Sequence, residues 1–136
     1  MFPFLYRYDP IVVEDFIRTI VDPIYGTLGF ASLHTLHPHR LSVFFILLAT
    51  GMLCHHDPSS AVLAERYHAL ARAALSLESI LAEATCAAVQ ALFMMFRYIY
   101  ASDRTSNEAR WILTGLCCRL AQTVSGEKSS SYSSAR

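Results

Sequence analysis

The sequence predicts an all-α fold, an array of about five to six packed helices, and three observations predict it. From Ala109 to Val124, apolar residues fall at Ala109, Ile112, Leu113, Leu116, Cys117, Leu120, Ala121 and Val124. That is one helical face held for about four turns. In the stretch before it, Val89, Leu92, Phe93, Met94, Met95, Phe96, Ile99 and Tyr100 cover nearly the whole circumference of a second helix, with Glu83, Gln90 and Arg97 as a thin polar stripe. A helix apolar on all sides belongs inside something, and one with a dry face and a wet face belongs to its cover. Finally, Gly and Pro number only five each in 136 residues, so little interrupts helix formation. A chain of this length can bury a core as one domain.

Residues 1–30 read as an aromatic lead, Met1 to Tyr8, followed by a short helix. Asp9-Pro10 is expected to cap that helix and supply its first position. Val13, Phe16, Ile17 and Ile20 form its apolar side, and Asp22-Pro23 is expected to close it. Gly26 and Gly29 mark an irregular connection.

The next helix opens at His37-Pro38-His39-Arg40 and contains Val43 to Cys54, the most apolar window of the chain. Membrane spanning needs roughly 17–25 apolar residues. The window stops short of that, between Arg40 and His55-His56-Asp57, so a buried core helix and no membrane partner are expected. Asp57-Pro58 repeats the cap-then-proline device. Leu63, Tyr67, Leu70, Ala71, Ala74 and Leu75 should be the dry face of the following helix, with Glu65, Arg66, His68 and Arg72 on the wet one. Turns follow at Ser76–Ser79 and Ala84-Thr85. Ser102 to Ser106 separates the two helices described first, and Thr105-Ser106-Asn107-Glu108 has the spacing of a capping box. Residues 125–136 are Ser-rich without apolar period and read as a disordered tail.

Eleven basic and eleven acidic residues give zero formal charge. The basic residues are scattered rather than gathered into the stripe that grips a phosphate backbone, so this segment is not expected to bind DNA itself. Cys54, Cys86, Cys117 and Cys118 sit in apolar helical contexts, and adjacent Cys117 and Cys118 point about 100° apart on a helix, unsuited to pairing. With no secretory signal, free buried thiols in a reducing compartment are the expectation.

The histidines are the one candidate for site chemistry: His34, His37 and His39 in one loop, His55 and His56 beside Cys54. Neutral imidazoles and a thiolate can hold zinc, but the HxxHxH spacing matches no ligand scheme, and the His55-His56 rings diverge. Ending helices and facing solvent, where they favour the negative end of the dipole, accounts for them better. No G-x-S-x-G, glycine-rich phosphate loop or H-E-x-x-H is present. Met94 and Met95 beside Phe93 and Phe96 could line an adaptable apolar pocket, and core packing explains them equally well. No catalytic residue, cofactor-binding residue or metal ligand is assigned, and a non-enzymatic protein is expected.

Four stretches resemble the fungal-specific transcription factor regulatory domain, of the xylanolytic-activator-like kind. They are Leu36-His37-Pro38-His39-Arg40-Leu41-Ser42-Val43-Phe44-Phe45 continuing through Ala49-Thr50-Gly51; Glu65-Arg66-Tyr67-His68-Ala69-Leu70-Ala71-Arg72-Ala73-Ala74-Leu75; Val89-Gln90-Ala91-Leu92; and Ala109-Arg110-Trp111-Ile112-Leu113-Thr114-Gly115-Leu116 through Arg119-Leu120-Ala121-Gln122. No single piece is specific, but they occur in order, and residues 31–124 are identified by them as a partial regulatory domain.

The resemblance implies a nuclear regulator of RNA polymerase II transcription whose DNA binding lies in a separate binuclear zinc cluster of six cysteines. The four cysteines here have the wrong spacing for it, so zinc and DNA binding are carried over to no residue of this chain. A small inducer or a coregulator is the implied partner. The family continues past the last matching helix with Gly-Leu-His-Arg-Asp, where this chain has its serine tail. Val124-Ser125 can be encoded as GTG-AGT, a splice-donor sequence, so an incomplete helical domain from a truncated gene model is expected. An uncovered face on Leu116, Leu120 and Val124 would then favour self-association. The roles implied are structural: Trp111 anchoring the last helix, Gly115 permitting close helix approach, and Gln90, Arg97 and Arg119 making buried or half-buried polar contacts. The rivals are a helical binding module for an apolar ligand or partner helix, using the Met94/Met95/Phe96 surface, and, more remotely, a His-based metalloenzyme.

Overall fold

The computed structural model describes residues 10–26, 36–55, 57–102 and 107–133. Over these residues the protein is all-α. Its elements are α1 (Val13–Phe16), a π-helical turn (Ile17–Val21), α2 (Asp22–Tyr25), α3 (Pro38–Leu53), α4 (Pro58–Leu77), α5 (Cys86–Ser102) and α6 (Asn107–Ser133). Contacts run α4 to α3, α3 to α5 and α5 to α6, so α3 and α5 are the inner helices and α4 and α6 flank them.

The two inner helices are inner because of composition. Every residue of α5 from Ala87 to Ile99 is buried or half-buried, with Ala88, Ala91, Leu92, Met94, Met95, Tyr98 and Ile99 fully so. On α3 the buried residues are His39, Ser42, Val43, Ile46 and Ala49, a single stripe at helical spacing. Ile46, Ala49, Met94, Met95, Tyr98 and Ile99 join Ala64 and Ala71 of α4 in the main core cluster. Burying one Ile or Leu in such a cluster contributes about 1.5–3 kcal/mol. A second cluster gathers Ile20, Leu36, Val43 and Ala91, and it seats the N-terminal helical run on α3 and α5.

The flanking helices approach closely through small residues. The Ser42 hydroxyl donates to the Ala71 carbonyl at 2.8 Å, a bond that a side chain one carbon long makes only where α3 and α4 backbones nearly touch. Cys117 repeats the arrangement on the other side, its thiol donating to the Val89 carbonyl at 3.7 Å. No helix among the described residues is long and apolar enough to cross a membrane.

Several local expectations are corrected. Pro10 precedes the first helix rather than opening it, since Val12 is the residue before α1; Asp9 lies outside the described residues. Asp22-Pro23 does not end the helical run. The π turn resets the hydrogen-bond ladder so that Pro23 stands in the first turn of α2, where its missing N–H costs nothing. The run ends at Gly26, where a Cβ would collide with the Asp22 carbonyl oxygen.

The inward face of α4 is also rotated from the expected one. Ser60, Ala64, Ala71 and Ala74 are buried and His68 is half-buried, while Leu63 and Leu70 are exposed. The close approach to α3 selects small side chains and turns Leu63 and Leu70 out, while Tyr67, Ala71, Ala74 and Leu75 of the expected face do pack inward. Asp57 precedes α4 as expected, but its carboxylate accepts from the Ser59 hydroxyl rather than capping a backbone N–H. Cys54, Cys86 and Cys118 are exposed and Cys117 half-buried, so these free thiols are not interior ones. The boundary expected after Val124 is absent, for α6 continues through Ser125 to Ser133. Serine is a middling helix former, and extending an existing helix avoids the nucleation cost. Thr105 lies outside the described residues.

Candidate functional site

A cleft opens where the N-terminal helical run leans on α3 and α5. It has a volume of about 140 Å³ and is lined by Asp15, Thr19, Arg40, Cys86 and Gln90 among apolar neighbours such as Ile20 and Val43. The amphipathic pattern of the helical run turns Phe16 and Ile20 onto the second core cluster and leaves Asp15 and Thr19 at the rim. Asp15 is held by Arg18 at 3.1 Å, and the Thr19 hydroxyl donates to the Asp15 carbonyl at 2.7 Å. Gln90 reaches out from α5, its amide donating to the Pro10 carbonyl at 2.9 Å, which ties the lead segment to the inner helix. The remaining cation is Arg40. The cleft is smaller than the roughly 300–1,000 Å³ of drug-sized ligand sites; it fits a molecule of a few heavy atoms, with Arg40 and the Gln90 amide as its polar contacts.

A second polar constellation lies where α3 begins. His37 precedes α3 and its Nδ1 accepts from the His39 backbone N–H at 3.2 Å. His39 is fully buried. Its Nδ1 lies 2.7 Å from the Thr85 hydroxyl and its Nε2 lies 3.3 Å from the Glu78 carbonyl. Because a carbonyl only accepts, Nε2 carries the proton and Nδ1 of the neutral ring accepts from Thr85. Thr85 in turn accepts from the Ala88 N–H at 3.1 Å, capping α5. His37 Nε2 stands 3.8 Å from a Glu83 carboxylate oxygen. By residue type these histidines are expected at helix ends facing solvent, and His39 is not. The missed signal was position: residue 39 falls on the 39, 42, 43, 46, 49 stripe that α3 buries.

A third constellation joins α4 and α5. Tyr98 donates to Glu65 at 3.2 Å, and the His68 ring stacks on Tyr98 with centroids 4.5 Å apart. The His68 Nε2 atom is buried without a hydrogen-bond partner. Burial lowers the His68 pKa, Glu65 opposes that, and Arg72 adds to it. On α6, burial raises the Cys117 thiol pKa, with Cys118 reinforcing the effect.

The residues expected in structural roles divide by helix. On α5, Gln90 is half-buried on the Pro10 carbonyl, and Arg97 is half-buried with its guanidinium 3.7 Å from the Met94 sulfur. On α6, Trp111 is 79% exposed, Arg119 is exposed, and Gly115 is exposed with open space where a Cβ would stand. Trp111 therefore anchors nothing within this chain's described residues, and no helix among those residues packs at Gly115. The reason is register: Leu113, Leu116, Cys117 and Leu120 face α5, which puts positions 111, 115 and 119 on the far side. Met94 and Met95 are core residues, so the apolar surface expected of them is closed.

Among the described residues, no group of three or more His, Cys, Asp or Glu comes together in a way that could hold a metal ion. His34 and His56 lie outside those residues. By fold, then, the described residues form an all-α helical array that carries a small polar cleft. No protein-family model, no curated protein and no solved structure matches the chain.

Proposed function

We propose that this chain is the regulatory helical region of a fungal zinc-cluster transcription factor, acting in the nucleus on RNA polymerase II transcription. It works without catalysis, through a small inducer or a coregulator, and DNA is reached by a zinc cluster encoded outside this sequence. One observation carries the reading. The four stretches that resemble the family fall in order, one on each of the four long helices α3, α4, α5 and α6, and these pack as one continuous array. That each stretch occupies a helix of its own supports the reading, and the evenly scattered charge fits a region that leaves the phosphate backbone to another module. The rival reading, a binding module built on Met94, Met95 and Phe96, has less support, because both methionines are used in the core.

Full-length transcript sequencing tests the proposal. An upstream exon encoding six closely spaced cysteines ahead of a basic linker, spliced in frame to this region, is the expected result. A transcript whose reading frame opens at Met1 with no such exon overturns it.

A further inference from the structure

The outward face of α6 is composed unlike a solvated surface. Within a stripe about 100° wide, reckoned at 100° per residue, stand Glu108, Trp111, Ile112, Gly115, Arg119 and Gln122. Trp111 is 79% exposed and Ile112 64% exposed. Gly115 beside them leaves open space where a Cβ would be, a hollow one turn from an aromatic knob. Glu108 and Arg119 are both exposed, and neither has an ion-pair partner among the described residues.

We infer that this face pairs with the same face of a second copy of the chain, α6 against α6 in antiparallel fashion, about a twofold axis near Leu113. The register follows from charge and shape together. Placing Trp111 over Gly115 of the other copy sets the sum of paired positions at 226, and the same register brings Glu108 within about one residue, ~1.5 Å along the axis, of the other copy's Arg119. Symmetry then makes the ion pair and the knob-in-hollow contact twice each. A parallel pair fails, since it sets Glu108 beside Glu108 and Arg119 beside Arg119. The charges therefore select orientation, and Trp111 with Ile112 supplies the apolar area.

The full chain, studied by sedimentation velocity from low to high micromolar concentration, reports the association. Trp111 is the only tryptophan of the chain, so its emission should shift to the blue as dimer forms. A concentration-dependent monomer–dimer equilibrium is expected. Gly115→Leu fills the hollow at an exposed helical position, so it should leave helicity intact while weakening dimerisation at least tenfold. Glu108→Arg should weaken it comparably, and Glu108→Arg combined with Arg119→Glu should restore it. Each variant's circular dichroism confirms that the fold is kept. A monomer at all concentrations, species larger than a dimer, or a double variant no tighter than Glu108→Arg alone overturns the inference.

Discussion

His39 Nδ1 lies 2.7 Å from the Thr85 hydroxyl, and through that one contact the first turn of α3 is joined to the first turn of α5. The hydroxyl serves two partners, since it also accepts from the Ala88 N–H at 3.1 Å. Replacing Thr85 by Ala removes a helix cap, worth about 0.5–2 kcal/mol, and strands a buried imidazole nitrogen, worth about 1–3 kcal/mol. Thr85→Ala should therefore lower unfolding free energy by about 2–4 kcal/mol in urea titrations, whereas Thr85→Ser should retain most of it. Equal losses for the two variants would mean that the methyl group, not the hydroxyl, is what matters.

Burial lowers the His68 pKa in the folded state. Below its ordinary value of about 6.5, the unfolded chain binds a proton that the folded chain resists. The stability linked to this residue is thus fully present above about pH 6.5 and is lost as pH falls through the lowered folded value. His68→Phe keeps a ring stacked on Tyr98 and removes the unpartnered Nε2, so it should hold or raise stability at pH 7 and flatten the decline below the ordinary histidine value of about 6.5. A decline of unchanged slope in the variant would assign the effect elsewhere.

Thiol chemistry should distinguish the cysteines. Cys54, Cys86 and Cys118 are exposed, while Cys117 is half-buried, donates to the Val89 carbonyl and has a raised pKa. Since the thiolate is the reacting species, iodoacetamide at pH 8 should label three positions quickly and Cys117 at least tenfold more slowly, as mapped by mass spectrometry. Adding urea should erase the difference. Equal rates in the native protein would mean that α6 does not sit on α5 as described.

The helical class and the inner position of α5 were legible in the sequence because both follow from hydrophobic periodicity, which needs no knowledge of partners. The inward side of α6 was legible for the same reason at Leu113, Leu116 and Leu120, but Ile112, which the period put on the same face, is 64% exposed. What was not legible depends on which neighbour an element meets. On α4 the expected dry face held at Tyr67, Ala71, Ala74 and Leu75, but close approach to α3 brings in Ala64 and excludes Leu63 and Leu70. His39 is polar by type and buried by place; only the Glu78 carbonyl and Thr85, some forty residues away in sequence, make that burial tolerable. Trp111, Gly115 and Arg119 were assigned inward roles by resemblance, which carries residue types but not the register in which this helix meets α5. The cleft could not be read at all, because Arg40, Asp15 and Gln90 come from elements whose mutual placement no local pattern encodes.

The last stretch of α6 offers a test of helix without packing. Among the α6 side chains described, which end at residue 130, Leu120 is the last buried one, Val124 is half-buried, and residues 125–130 are all exposed. The side chains of residues 125–130 bury little apolar surface, so continuation of the backbone ladder is the main support of this segment, and it should fray. Deleting residues 125–136 should leave the melting temperature and the urea midpoint nearly unchanged, within about 0.5 kcal/mol, while reducing ellipticity per molecule. Leu120→Ala, a change of one side chain at the edge of the packed region, should cost about 2–4 kcal/mol. Hydrogen exchange would locate the same boundary, with amides protected up to about Val124 and exchanging quickly beyond it. A truncation as destabilising as Leu120→Ala would show that the serine-rich turns touch the core after all.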